Sequence, residues 1–176
     1  MIGPDLILDL DSFFASVEQQ LVPRLRGRAM AVVPVLSDST SCIAASKEAK
    51  RFGVKTGTRV REARQLCPEI VFVESRPKIY TEFHQRFVAA LESQIQIAEV
   101  MSIDEAWCLL PRSVSTRAQA EQFSRRLKTT LTAHMGEWIT YSIGIAPNRF
   151  LSKLASDIGK PDGLFIIEQQ DLPHCL

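Results

Sequence analysis

Little in this 176-residue sequence marks a membrane, secreted or thiolate-metal protein. No apolar run approaches the ~20 residues of a spanning helix, and the N-terminus lacks a basic region followed by an apolar signal core. The four cysteines, Cys42, Cys67, Cys108 and Cys175, have no Cys-x-x-Cys spacing. They therefore imply neither a zinc site nor a disulfide framework, and they fit a reduced, cytosolic compartment. His84, His134 and His174 form no motif, and there are no repeats, low-complexity stretches or long linkers. Formal net charge is only +1, so overall electrostatics announce no polyanionic partner. The glycine-bearing run Gly53-Val54-Lys55-Thr56-Gly57-Thr58 lacks the Gly-Lys-Ser/Thr ending of a phosphate loop, which excludes P-loop chemistry and leaves an inter-helix turn.

Charge is present locally. Between Ala45 and Arg64, Lys47, Lys50, Arg51, Lys55, Arg59, Arg61 and Arg64 face only Glu48 and Glu62, a local +5 against −4 elsewhere. Such a patch can neutralise phosphate; a solvated helical surface is the alternative.

The apolar periods alternate between strand and helix. Leu6–Leu10 predicts a buried strand, followed by a helix from Asp11 to about Leu21, with Asp11 expected as its cap. Ala29–Val33 predicts a second strand, Ala45–Phe52 and Arg59–Leu66 two short helices, and Ile70–Val73 a strand. Pro77 suits the first turn of a helix to about Gln94. Ile97–Ile103 and Ala106–Leu110 predict a hairpin, and Thr116 with Gln119 a capping box for a helix to about His134. Trp138–Ile145 predicts a strand, Pro147 opens another helix, and Gly163–Ile167 closes as a strand. The hairpin argues for a mixed, mainly antiparallel sheet with helices on one face, an α+β fold.

Asp104-Glu105 sits at the hairpin junction, and Asp9 ends the first apolar run. If the strands pair, three carboxylates meet at one end of a sheet. Two like charges about 4 Å apart repel by roughly 4 kcal/mol at an effective dielectric near 20, so the cluster calls for cations. Hard oxygen ligands suit Mg²⁺ held together with substrate phosphates, the arrangement of two-metal phosphoryl transfer. Carboxylates accept Mn²⁺ as well.

Three segments resemble the Y-family translesion DNA polymerases: Leu8-Asp9-Leu10-Asp11-Ser12-Phe13-Phe14-Ala15-Ser16-Val17-Glu18, then Ser102-Ile103-Asp104-Glu105-Ala106, then the run from Ser142 to Asp157 containing Pro147-Asn148-Arg149-Phe150-Leu151-Ser152-Lys153. Lys160-Pro161-Asp162-Gly163-Leu164 is similar to the family as well. The resemblance implies a polymerase palm in residues 1–11 and 76–176, a small α/β fingers lobe in 12–75, and no thumb or little-finger domain within the chain.

The same resemblance implies roles. Asp9 and Asp104 would bridge two ions, Glu105 would hold the ion that activates the primer 3′-hydroxyl, and the Leu10 carbonyl would complete the nucleotide-side ion. Phe13 and Phe14 are neighbours on a helix and point about 100° apart. Phe14 matches the steric gate that excludes a ribose 2′-hydroxyl, with Phe13 beside it at the nucleotide. Lys153 would act as a point charge on the triphosphate, with Arg149 assisting. Gly57, Arg59 and Arg61 are candidates for DNA contact.

Departures from the family lie in the fingers. Where members place a threonine, a tyrosine and an arginine on the phosphates, this sequence has Ala44, Lys47 and Lys50. Ala44 cannot donate, and Lys50 lacks the bidentate fork of arginine. The expected partners are primer–template DNA and deoxynucleoside triphosphates, in a bacterial cytoplasm. Without a gripping domain DNA binding should be weak, near 10⁻⁴ M. Excision from a longer protein and a partner supplying the grip both remain open. A non-catalytic scaffold binding nucleic acid or repair proteins is the alternative function. A palm-fold cyclase is disfavoured because Ser102-Ile103 stands where that family has glycines.

Overall fold

In the computed structural model, residues 2–171 are described. In chain order the elements are β1 (Asp5–Leu10), α1 (Phe13–Leu21), β2 (Met30–Val33), β3 (Ala44–Ala45), α2 (Lys47–Lys50), α3 (Val60–Leu66), β4 (Val71–Glu74), α4 (Pro77–Glu92), β5 (Gln96–Val100), β6 (Glu105–Leu109), α5 (Arg117–Met135), β7 (Tyr141–Ala146), α6 (Arg149–Ile158) and β8 (Leu164–Ile166). They form two compact units. One runs to Asp11 and resumes at His84; the other is Ser12–Phe83. His174 and Cys175 lie outside the described residues.

The first unit is built on a five-stranded sheet in the order β5-β6-β1-β7-β8. β1 pairs antiparallel with β6 and β7, while β8 runs parallel to β7, so the sheet is mixed. Strand alternation places Asp5, Ile7 and Asp9 on one face with Glu105 and Trp107 of β6 and Ser142 and Gly144 of β7. The other face carries Leu6, Leu8, Leu10, Ala106, Cys108, Tyr141, Ile143 and Ile145, all buried. Helix α6 lies on the Asp9 face. A Cβ at Gly144 would overlap the Ser152 carbonyl and the Ser156 amide, so glycine there allows the helix to touch the strand. Ser152 Oγ donates to the Asp5 carbonyl at 3.0 Å, fixing the register of that contact.

Local signals explain several boundaries. The Thr116/Gln119 capping box forms, with Gln119 N–H donating to Thr116 Oγ1 and Thr116 N–H to Gln119 Oε1. Helix α6 begins later than Pro147, because Asn148 Oδ1 accepts from Leu151 N–H at 3.0 Å and acts as the cap. The strand expected from Trp138 starts only at Tyr141, and both faces of β7 are buried. The strand expected to reach Ile103 ends at Val100, and residues 101–104 make the turn into β6.

The expected Asp11 cap does not form. Asp11 stays in register with the first unit: its N–H donates to the Thr140 carbonyl, and its carboxylate accepts from Thr140 Oγ1 (2.9 Å), Ser142 Oγ (2.7 Å) and Asp162 N–H (2.8 Å). Three donors to one carboxylate outweigh a single helix-end amide. Ser12, at φ 50°, takes the N-cap position without a side-chain cap bond.

The second unit holds a three-stranded sheet in the order β3-β2-β4, with β2 antiparallel to β3 and parallel to β4. Ala31, Val33, Ala45, Ala49, Val54, Val60, Ala63 and Ile70 form its core. The helix expected from Ala45 is shorter, Lys47–Lys50, because Ser46 caps it and also pairs with Met30 through both backbone and hydroxyl. Ala44 and Ala45 are thereby drawn into β3. The buried Gln19 amide of α1 ties to the Leu25 and Arg28 carbonyls and to Glu48 Oε2. This unit includes the first turns of α4 and ends at Phe83. The anchor is Glu18, which accepts from Tyr80 O–H (2.7 Å) and from Arg76.

Candidate active site

The register of β1 with β6 sets Asp9 opposite Glu105. The ladder continues one step further, as Leu10 N–H donates to the Asp104 carbonyl at 2.8 Å, so the Asp104 backbone lies beside Leu10. Helix α6 sends Lys153 over this end of the sheet. Its ammonium donates to Asp9 Oδ2 at 2.8 Å and lies 3.2 Å from both Glu105 Oε1 and Asp157 Oδ1. Lys160 joins from the segment after α6, with Nζ 2.8 Å from Asp9 Oδ2 and 3.0 Å from Asp157 Oδ1. The result is an alternating cluster of three carboxylates and two ammonium groups.

Its electrostatics follow from this packing. Burial works against the Lys153 ammonium, but the Asp9 hydrogen bond and the charges of Asp9 and Glu105 outweigh it, holding the pKa well above the ordinary lysine range. Lys160 is likewise raised: partial burial opposes its charge, and Asp9 and Asp157 overcome that. Burial raises the Asp157 carboxyl, but its bonds to Lys160 and Lys153 prevail and leave it below the usual range.

Asp9, Glu105 and Lys153 are brought together. The Asp104 carboxylate is not with them; it accepts from Ser102 Oγ at 2.7 Å. As the side chains stand, no three carboxylate, imidazole or thiol groups among the described residues are arranged to hold a metal ion. The donor chemistry nevertheless fits a hard divalent cation. Glu105 Oε1 is buried with the Lys153 ammonium 3.2 Å away as its counter-charge, and Asp9 draws two cationic donors onto one oxygen. This pocket of negative charge therefore already demands positive charge. Arg149 lies off the cluster, paired with Glu99 at 2.6 Å and stacked over the Trp107 ring.

Within the second unit, Phe13 is buried and Phe14 half-buried, their side chains about 100° apart on the helix. The Phe14 ring stacks on Tyr80 with centroids 4.4 Å apart. Ala44 is buried in β3, Lys47 opens α2 and Lys50 ends it. Gly57, at φ 89°, turns the chain so that its N–H reaches the Cys42 carbonyl. Arg59 is the N-cap residue of α3, and Arg59 and Arg61 are exposed. Three cysteines, Cys42, Cys67 and Cys108, are free and buried; burial pushes the Cys108 thiol up to about 12.

Sequence reasoning gave Lys160 and Asp157 no role. For Asp157 the spacing carried a signal, since Lys153 and Asp157 stand at i and i+4 on α6; Lys160 lies beyond the end of the helix and had none.

The impB/mucB/samB family matches residues 8–157. DNA polymerase IV of Moorella thermoacetica is 40% identical over 170 residues, covering 96% of this chain and 42% of its own length. DNA polymerase IV of Gluconobacter oxydans is 37% identical over 161 residues, or 91% and 44% of the two chains. The solved structure of DinB from Sulfolobus solfataricus superposes with a TM-score of 0.86 at 32% identity, covering 99% of this chain and 50% of that one. A Y-family DNA polymerase chimera gives a TM-score of 0.88 at 31% identity, with 99% and 51% covered. The chain spans about half the length of these relatives. The family match runs from the carboxylate strand β1 through α6, and on that ground the chain belongs to the impB/mucB/samB family of Y-family DNA polymerases.

Proposed function

We propose that this chain is the palm-and-fingers catalytic half of a DNA polymerase that adds deoxynucleotides to a primer under template direction. Translesion synthesis with low processivity is its proposed setting, in a bacterial cytoplasm. No helix among the described residues is long and apolar enough to cross a membrane. The observation that carries the reading is the convergence of Asp9, Glu105, Lys153 and Lys160 at the end of β1.

Asp9, Asp104, Glu105 and the Leu10 carbonyl would hold two divalent ions, Mg²⁺ or Mn²⁺, which supply charge neutralisation and acidify the primer hydroxyl. The chain's own groups do the rest. Lys153 and Lys160 bring positive charge to the site, since a lysine is protonated across the physiological range, and they bind triphosphate oxygens as point charges. Phe14 packs against the sugar and excludes a 2′-hydroxyl, with Phe13 holding the helix to the core. Lys47 and Lys50 meet the phosphates from α2, while Ala44 provides no donor. Losing a hydrogen bond to a charged group costs roughly 1.5–3 kcal/mol, so the triphosphate grip is weaker than threonine and arginine would give. Gly57, Arg59 and Arg61 contact template DNA, and a gripping domain acts in the same polypeptide or in a partner.

The test is primer extension at low salt and high protein concentration with Mg²⁺, then Mn²⁺. Extension that Asp104→Ala abolishes supports the reading. No extension by folded, primer-bound protein, even with a gripping domain supplied in trans, would favour a non-catalytic scaffold.

A further inference from the structure

The stack of Phe14 on Tyr80 is the end of a braced chain of contacts within the second unit. The two rings are nearly parallel, 18° between planes. Phe13 meets Phe14 less closely, at 5.6 Å and 45°, so Tyr80 is the flat neighbour that limits where the Phe14 ring can lie. Tyr80 is itself only 2% exposed and is held at both ends. Its ring is clamped by packing, and its hydroxyl donates to Glu18 Oε1 at 2.7 Å. Glu18 stands four residues after Phe14 on α1, on the same helix face. Its carboxylate is 1% exposed, and Arg76 grips both oxygens, Nε at 3.0 Å from Oε1 and Nη2 on Oε2. The loop closes on itself: α1 carries Phe14 and Glu18, and Arg76 with Tyr80 returns from Glu18 to Phe14.

A buried ion pair of this kind is weak evidence for stability, since apolar side chains of similar volume often stabilise as well. Its contribution here is geometric. Phe14 is half-exposed, and a phenylalanine at such a position has other staggered rotamers open to it unless a fixed neighbour removes them.

We propose that Tyr80, pinned by Glu18 and Arg76, is a positioning residue that fixes the Phe14 ring and thereby sets how strongly ribonucleotides are excluded. This rests on Phe14 being the sugar gate. A gate excludes a hydroxyl only as far as its ring cannot yield, so loosening the brace raises ribonucleotide use rather than lowering deoxynucleotide use.

The experiment compares kcat/KM for a deoxy- and a ribonucleoside triphosphate opposite one template base. The wild type is set against Phe14→Ala, Tyr80→Leu, Tyr80→Phe and Glu18→Gln, with thermal melting to confirm folding. Where turnover is too slow, dissociation constants of the two triphosphates give the same ratio. An aromatic stack is worth about two- to tenfold, so Tyr80→Leu should lower discrimination by up to about tenfold through a gain for the ribonucleotide. Tyr80→Phe, which keeps the ring and loses the pin, and Glu18→Gln should fall between that variant and wild type. If Tyr80→Leu leaves the ratio unchanged, or weakens both nucleotides equally, while Phe14→Ala relaxes it, the positioning role is overturned and the gate stands. If Phe14→Ala itself leaves the ratio unchanged, the gate reading fails first.

Discussion

Removing the Asp11 carboxylate should cost the first unit much of its stability. Asp11 is 4% exposed and accepts from Thr140 Oγ1, Ser142 Oγ and Asp162 N–H. A hydrogen bond to a charged group contributes roughly 1.5–3 kcal/mol net, and a buried donor left unsatisfied costs about 1–3 kcal/mol. Ser142 has no exposure at all, so water cannot replace its acceptor. Thr140 and Asp162 are open enough to be solvated in part. Weighting the buried bond fully and the other two lightly, Asp11→Ala should lose about 3–5 kcal/mol, a large part of an ordinary domain's 5–15 kcal/mol. Asp11→Asn should lose less, about 1–2 kcal/mol, because its amide oxygen still faces Asp162 N–H and the Ser142 hydroxyl can turn to accept. Urea unfolding followed by tryptophan fluorescence measures this in the right place, since Trp107 and Trp138 both lie in the first unit. A loss below about 1 kcal/mol for Asp11→Ala, or equal losses for the two variants, would refute the three-donor account.

Lys153 has a raised folded pKa, so its contribution is complete below the unfolded value near 10.4 and is lost as pH rises through the folded value. Urea midpoints at pH about 8 and about 11 should therefore diverge more in wild type than in Lys153→Met; Tyr80 and Tyr141, raised by burial, are common to both proteins. Equal divergence would mean that Lys153 gains nothing from Asp9 and Glu105. Restoring the fingers donors with Ala44→Thr plus Lys50→Arg should tighten nucleotide binding by about one to two decades, read as a nucleotide dissociation constant. Unchanged affinity would show that Lys47 and Lys50 already make the grip complete.

Much of this molecule was legible because its signals are local. The run Leu6–Leu10 reads as a buried strand because four of its five residues are apolar and it is short. Thr116 and Gln119 cap α5 through bonds spanning three residues. The acids at 104 and 105 had to sit at a hairpin junction, and once β1 pairs with β6, period two sets Asp9 opposite Glu105. Helix geometry turns Phe13 and Phe14 about 100° apart, and packing leaves the first buried and the second half-buried.

The failures share one cause, competition from partners far along the chain. Asp11 had the right residue type and position for a cap, but donors 129 to 151 residues away were stronger. Ser46 was drawn to Met30, and that set Ala44–Ala45 as a strand rather than a helix start. Tyr80 and Arg76 answer Glu18, 62 and 58 residues earlier, and so tie the start of α4 to α1. Lys160 acquired its place only when the segment after α6 folded back on Asp9, 151 residues away. The sequence alone determined most of the elements, the carboxylate hairpin and the family resemblance. Which acid meets which base was decided by the tertiary structure, because a charged side chain takes the partner that packing delivers to it, and neither propensity nor spacing encodes that delivery.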